Sequence, residues 1–158
     1  MTRAIGLIFL AGMLTFNVWA APKQLAVNEV SASNLKLVLS ERYGTSIDDD
    51  GVVIVKKGKY LQTNIRIDSN NKVLSFFHAW SAKPSADKMK CLEKVNRWNS
   101  DRAFNCVTYD QENKAFIWSY QMVFTGGIDT ANLLNTVGIL LGNEEVFLKD
   151  FYEAGLLG

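Results

Sequence analysis

The apolar positions of this chain recur at two rhythms, and the switches between them mark its elements. Leu35, Val38, Leu39 and Tyr43 fall at helical spacing behind Ser31 or Ser33, either of which suits an N-cap, and Gly44 suits the stop. Asp48-Asp49-Asp50-Gly51 predicts a turn, residues 52–55 a short strand, and residues 56–59 around Gly58 a tight connection. Leu61, Thr63, Ile65 and Ile67 then alternate with Gln62, Asn64 and Arg66, the pattern of a half-buried strand. Ser69-Asn70-Asn71 turns the chain into a third strand over 73–80. Three strands joined this tightly predict an antiparallel meander.

The second half repeats the alternation of rhythms. Pro84 and Ser85 are expected to open a helix with Met89, Leu92, Val95 and Trp98 on one stripe, ended by residues 99–102. Strands over 104–109 and 115–124 follow, joined at Gln111-Glu112-Asn113. Gly126-Gly127 breaks the run, and Asp129 caps a last helix carrying Leu133, Leu134, Val137, Leu140 and Leu141. Gly142 is expected to interrupt that helix before residues 144–151 resume it. The predicted fold class is α+β: a single antiparallel five-stranded sheet flanked by helices, in the order α-β-β-β-α-β-β-α. One domain spans 25–158, with no internal repeat, linker or low-complexity tract.

The first residues follow another logic. Arg3 precedes an apolar run over 4–14, and Val18-Trp19-Ala20 places slim residues where a signal peptidase reads, with Ala21-Pro22 beyond. Cleavage one residue later would put Pro22 next to the scissile bond, so residues 1–20 are read as a signal peptide cut between Ala20 and Ala21. An uncleaved anchor is the competing reading. However, the run is shorter than the roughly 20 residues a spanning helix needs, and Thr15 and Asn17 follow it. A periplasmic protein without a stable membrane anchor is therefore expected.

At 48% hydrophobic and 21% charged, the 158 residues have enough apolar side chains for one core. Lys and Arg number 17 against 16 Asp and Glu, and without Arg3 the counts are equal. Such a balance supplies no field for attracting nucleic acid. Export also changes the meaning of Cys91 and Cys106, which an oxidising compartment lets join. The expected disulfide would close a loop worth about 3 kcal/mol in chain entropy. Two buried free thiols are the alternative, and a thiol nucleophile would have only His78 for a partner.

Little else points to catalysis. Asp48-Asp49-Asp50-Gly51 lacks the alternating ligands and the twelfth-position Glu of a calcium loop, since Lys59 stands there. His78 lies mid-strand without a Cys or carboxylate nearby in sequence, which favours a packed or surface histidine over a ligand or base. Gly126-Gly127 lacks the further glycines and lysine of a phosphate loop. Gly138 and Gly142 at small-xxx-small spacing read as close packing of a soluble helix against the sheet rather than helix dimerisation. No catalytic, cofactor-binding or metal-binding residue is assigned, and no cofactor is expected.

The aromatics are more informative. Phe116, Trp118, Tyr120, Met122 and Phe124 share one face of their strand, and Leu74, Phe76, His78 and Trp80 one face of theirs. Either helices cover this face, or it stays open to dock a partner or a second copy. On the second reading Trp80, Trp118 and Tyr120 are the partner-binding residues.

Three segments carry a resemblance to a known family: residues 92–99, which end in Asn96-Arg97-Trp98-Asn99, the paired strands ending in Phe124-Thr125-Gly126-Gly127-Ile128, and the Leu-rich helix over 131–141. With these the chain resembles the bacterial YbjN family of proposed sensory transduction regulators. The resemblance implies a fold similar to type III secretion chaperones, often used as a dimer to hold other polypeptides, and it brings no catalytic residues. Asn96 and Asn99 match the family's helix end, where capping and bonding to the next strand explain them. The expectation is an exported, non-enzymatic, chaperone-like or regulatory module that captures a protein or polypeptide partner, with a homodimer possible. The alternative is a small periplasmic hydrolase or ligand carrier using His78 near an aromatic pocket.

Overall fold

The structure, a computed structural model, describes residues 23–158; the expected cleavage between Ala20 and Ala21 lies outside them. In chain order the first elements are β1 (Gln24–Leu25), α1 (Ala32–Leu39), β2 (Gly44–Ile47), β3 (Val53–Lys57), β4 (Leu61–Asp68) and β5 (Val73–Ser81). Then come α2 (Lys88–Asp101), β6 (Cys106–Asp110), β7 (Ala115–Val123), β8 (Ile128–Asp129) and α3 (Thr130–Glu153). Six strands form one antiparallel sheet in the order β2-β3-β4-β5-β7-β6, and β1 pairs with β8 in a separate two-stranded ribbon.

Strand alternation decides which side chains meet the helices. Val53, Val55, Ile65, Leu74, Phe76, Val107, Phe116 and Trp118 are buried on one face, against Leu35 and Val38 of α1, Cys91, Val95 and Trp98 of α2, and the apolar stripe of α3. Phe147 and Phe151 of α3 stand edge-on to Trp98 and Phe116, with ring centroids 5.0–6.3 Å apart. Each such side chain contributes about 1.5–3 kcal/mol by leaving water. The other sheet face is mixed. It carries Asn64, Arg66, Ser75, Phe77, Ser119 and Gln121, and the Arg66 guanidinium lies over the Phe77 ring.

The sheet therefore has six strands where five were expected. α1 stops at Leu39, where the hydroxyl of Ser40 donates to Lys36 O at 2.6 Å, and Gly44 begins β2 instead of ending a helix. Tyr43 leaves the helical stripe and crosses to α3, where its hydroxyl donates to Leu134 O and fills the space beside Gly138. The close packing against the sheet expected at Gly138 and Gly142 is not found: Gly138 packs against Tyr43 and Gly142 faces open space. α3 runs unbroken through Gly142, because tertiary burial on both sides outweighs a propensity cost of about 1 kcal/mol. Helix α2 starts at Asp87, whose carboxylate accepts from the Lys90 N–H, rather than at Pro84 or Ser85. Met89 is exposed, and Cys91 takes its place on the buried stripe.

Cys91 and Cys106 are both free, which corrects the expected disulfide. The reason is the period of the strand. Val107 and Tyr109 of β6 point toward α2, so Cys106 points to the opposite face of the sheet. Cys91 sits beside Tyr109, three residues and about 10 Å along β6 from Cys106. Burial pushes the Cys91 thiol above its ordinary pKa, while Cys106 is exposed.

Two hairpins close with the same five-residue turn, Asp-x-x-Asn-Lys, at 68–72 and 110–114. In each, the Asp Oδ1 accepts from the backbone N–H groups two and three residues on, and Oδ2 from the Asn amide at 2.7 Å. The Asn71 backbone N–H, its largest influence, holds Asp68 below the usual carboxylate range; the Asn113 side-chain amide does so for Asp110. Lys72 and Lys114 take positive φ, 55° and 47°, to complete the turns.

Candidate functional site

One acidic side chain interrupts the apolar stripe of α3. Glu144 follows Leu140 and Leu141 by one turn and precedes Phe147 by another, so helical spacing aims it at the sheet, where it is 1% exposed. A buried carboxyl group is costly unless donors surround it, and here three N–H groups do. The β4–β5 ladder runs from Asp68↔Val73 to Asn64↔Phe77 and then parts. Into that gap Glu144 offers Oε2 to the Gln62 backbone N–H at 3.0 Å. Its Oε1 accepts from Trp80 Nε1 at 3.0 Å and meets His78 Nδ1 at 2.5 Å. Facing an oxygen that already accepts an N–H, Nδ1 is the nitrogen assigned the proton. One side chain thus fastens α3 to both strands and fixes two rings, whose centroids lie 4.6 Å apart.

Next to these rings opens a cavity of about 670 Å³, lined by Tyr60, His78, Trp80, Leu148, Tyr152 and Leu157. Tyr60 and Tyr152 are about two-thirds exposed, unusually so for large aromatic side chains, and stand at the mouth. A volume of this size suits a small ligand or one or two side chains of a polypeptide.

The three residues expected to bind a partner do not form one surface. The pairing His78↔Trp118 puts all of them on the helix-covered face. Trp118 is 1% exposed within the core, which corrects its placement on an open docking face. Tyr120 is half-buried at the far end of the face, stacked on Phe104 at 4.6 Å and bordering a separate groove of about 490 Å³. Only Trp80 reaches the cavity. His78, expected to be packed or on the surface, is half-buried and paired with Glu144. The sequence reading missed Glu144, Tyr60 and Tyr152. A carboxylate at stripe spacing was the available signal for Glu144, hidden by the expected break at Gly142.

Asn99 bonds to the following strand, as its place at the helix end led one to expect. Its side chain accepts from Val107 N at 2.9 Å and donates to Val107 O at 2.8 Å. The amide thereby occupies backbone groups of β6, an edge strand that would otherwise invite pairing with another chain. Among the described residues no cluster of three His, Cys, Asp or Glu could hold a metal ion, and no helix is long and apolar enough to cross a membrane.

A helical layer on one face of an antiparallel sheet, with the cavity at the parting of two central strands, defines an α+β fold shared with solved structures. The chain belongs to the YbjN family: the family model described as "Putative bacterial sensory transduction regulator" matches residues 31–152. The crystal structure of YbjN from E. coli superposes with a TM-score of 0.71 at 12% identity, covering 85% of this chain and 98% of that one. The ExsC–ExsE complex matches with a TM-score of 0.57 at 12% identity, covering 75% and 93%. At these identities the likeness is one of fold. No curated protein matches the sequence.

Proposed function

We propose that this protein is an exported, non-enzymatic module that holds a polypeptide segment of a partner in the cleft of Tyr60, Trp80 and Tyr152. The observation that carries this reading is the large cavity with two exposed tyrosines at its mouth and a tryptophan on its wall. Such rings bury much area while losing few rotamers, which makes them efficient anchors. The regulator description of the family supports the reading, as does a fold match solved as a two-protein complex. Export rests on Arg3, the apolar run over 4–14 and the Val18-Trp19-Ala20 site. The sheet would keep the two thiols apart even in an oxidising periplasm.

One observation favours the hydrolase or ligand-carrier reading: a buried carboxylate orienting an imidazole beside a cavity is the geometry of a general base. Yet His78 hydrogen-bonds to no Ser, Thr or Cys among the described residues, so capture leads. Immobilised protein separates the two. Retention of one defined polypeptide from a periplasmic extract, weakened about 30-fold by Trp80→Ala in a folded variant, supports capture. Ester turnover abolished by His78→Ala, with no polypeptide retained, would replace it.

A further inference from the structure

Glu144 is not needed for packing. Its position in the α3 stripe would take Leu or Met, and replacing buried charged groups with apolar side chains of similar volume is often neutral or stabilising. What its three hydrogen bonds achieve is orientation. They hold Trp80 against the cavity and commit His78 Nδ1 as a donor. The nitrogen left over is Nε2, which has no partner among the described residues. On a neutral imidazole whose Nδ1 carries the proton, Nε2 is an acceptor. An acceptor on the wall of an aromatic cavity is satisfied by a ligand whose apolar body ends in a donor.

We infer that the cavity takes a tyrosine side chain of the bound segment, its hydroxyl donating to His78 Nε2. This rests on the reading of the cleft as a polypeptide site and names what that site holds. Lysine, arginine, tryptophan and tyrosine each combine an apolar body with a donor near the end. Lysine and arginine would each bring a positive charge up to Lys149, which lines the same cavity. The tryptophan N–H projects from the flank of its ring, so reaching Nε2 would hold the indole sideways. The tyrosine hydroxyl lies at the tip of a flat ring that fits among Tyr60, Trp80 and Tyr152. A phenylalanine would leave Nε2 unpaired against the ring edge.

The probes are p-cresol and toluene, the side chains of tyrosine and phenylalanine, titrated into the full mature chain labelled with ¹⁵N. His78 is the single histidine, so one pair of imidazole nitrogens reports the site. The expected result is a protonated Nδ1 in the free protein, and an Nε2 signal that moves with p-cresol. Binding of p-cresol should be about fivefold tighter than that of toluene. His78→Phe should remove that preference while keeping a ring in place, and Glu144→Gln should reduce it by freeing the tautomer. Equal affinity for both probes, p-cresol binding with unmoved His78 nitrogens, or no binding of either probe would overturn the inference. Trp80-dependent retention of a polypeptide together with equal probe affinities would leave the capture reading standing and remove only this one. Probe selectivity with no polypeptide retained would remove the capture reading, and with it the tyrosine of a bound segment, leaving only a site for a small phenol.

Discussion

Trp118→Ala distinguishes a ring in the core from a ring at an interface. The side chain is 1% exposed, and an indole of this kind buries on the order of 150–250 Å². At about 25 cal/mol per Å² that is roughly 4–6 kcal/mol of transfer free energy, close to the 3–5 kcal/mol typical of large aromatic truncations. One feature of the site reduces the expected loss. The Trp118 Nε1–H is buried without a hydrogen-bond partner, and removing an orphaned donor relieves about 1–3 kcal/mol. The net expectation is therefore about 3 kcal/mol for Trp118→Ala, and about 1 kcal/mol or less for Trp118→Phe, which keeps a ring and deletes the orphan. Urea unfolding followed by far-UV circular dichroism reads both, as a fall in midpoint at unchanged slope. A loss below about 1 kcal/mol for the alanine variant, with partner capture abolished, would show that the ring is an interface residue.

Gly142 lies mid-helix with open space around an added Cβ, so Gly142→Ala should stabilise by about 1 kcal/mol, whereas at Gly127 (φ 87°) a Cβ would meet Leu25 O at 2.5 Å and Gly127→Ala should destabilise. Asp68 and Asp110 have folded-state pKa values below their ordinary 3.8, so they contribute stability above that value which is lost as pH falls through the lowered one. Replacing both with Asn should flatten the decline of the urea midpoint below about pH 4, and an unchanged decline would refute the assignment. In native protein Cys106 should react with a thiol reagent while Cys91 reacts only on unfolding; a non-reduced mass two hydrogens lighter than the reduced form would contradict the separation by the sheet.

Local rhythm made most of the elements legible, and their ends were lost where side chains make long-range bonds. β4, β5 and β7 follow from strict alternation, and the α3 stripe from i, i+3 and i+4 spacing. β2 was hidden because Gly44 suits a helix stop as well as a strand start, and the contact that decides between them, Tyr43 to Leu134, spans 91 residues. The disulfide failed for a reason visible only after pairing: an even or odd position on β6 sets the face. His78 and the aromatic pocket were foreseeable from β5. Their partner Glu144 required an unbroken α3, and the parting of β4 from β5 leaves no mark in sequence.

Photo-crosslinking tests polypeptide capture at the cleft most directly. Tyr60 or Tyr152 is replaced by p-benzoylphenylalanine in the full-length protein, and exposed Val123, which points away from the helical layer, serves as the control position. Capture at the cleft predicts one polypeptide adduct, identified by mass spectrometry, at residues 60 and 152 and none at 123. An adduct at 123 with none at the two tyrosine positions would contradict it.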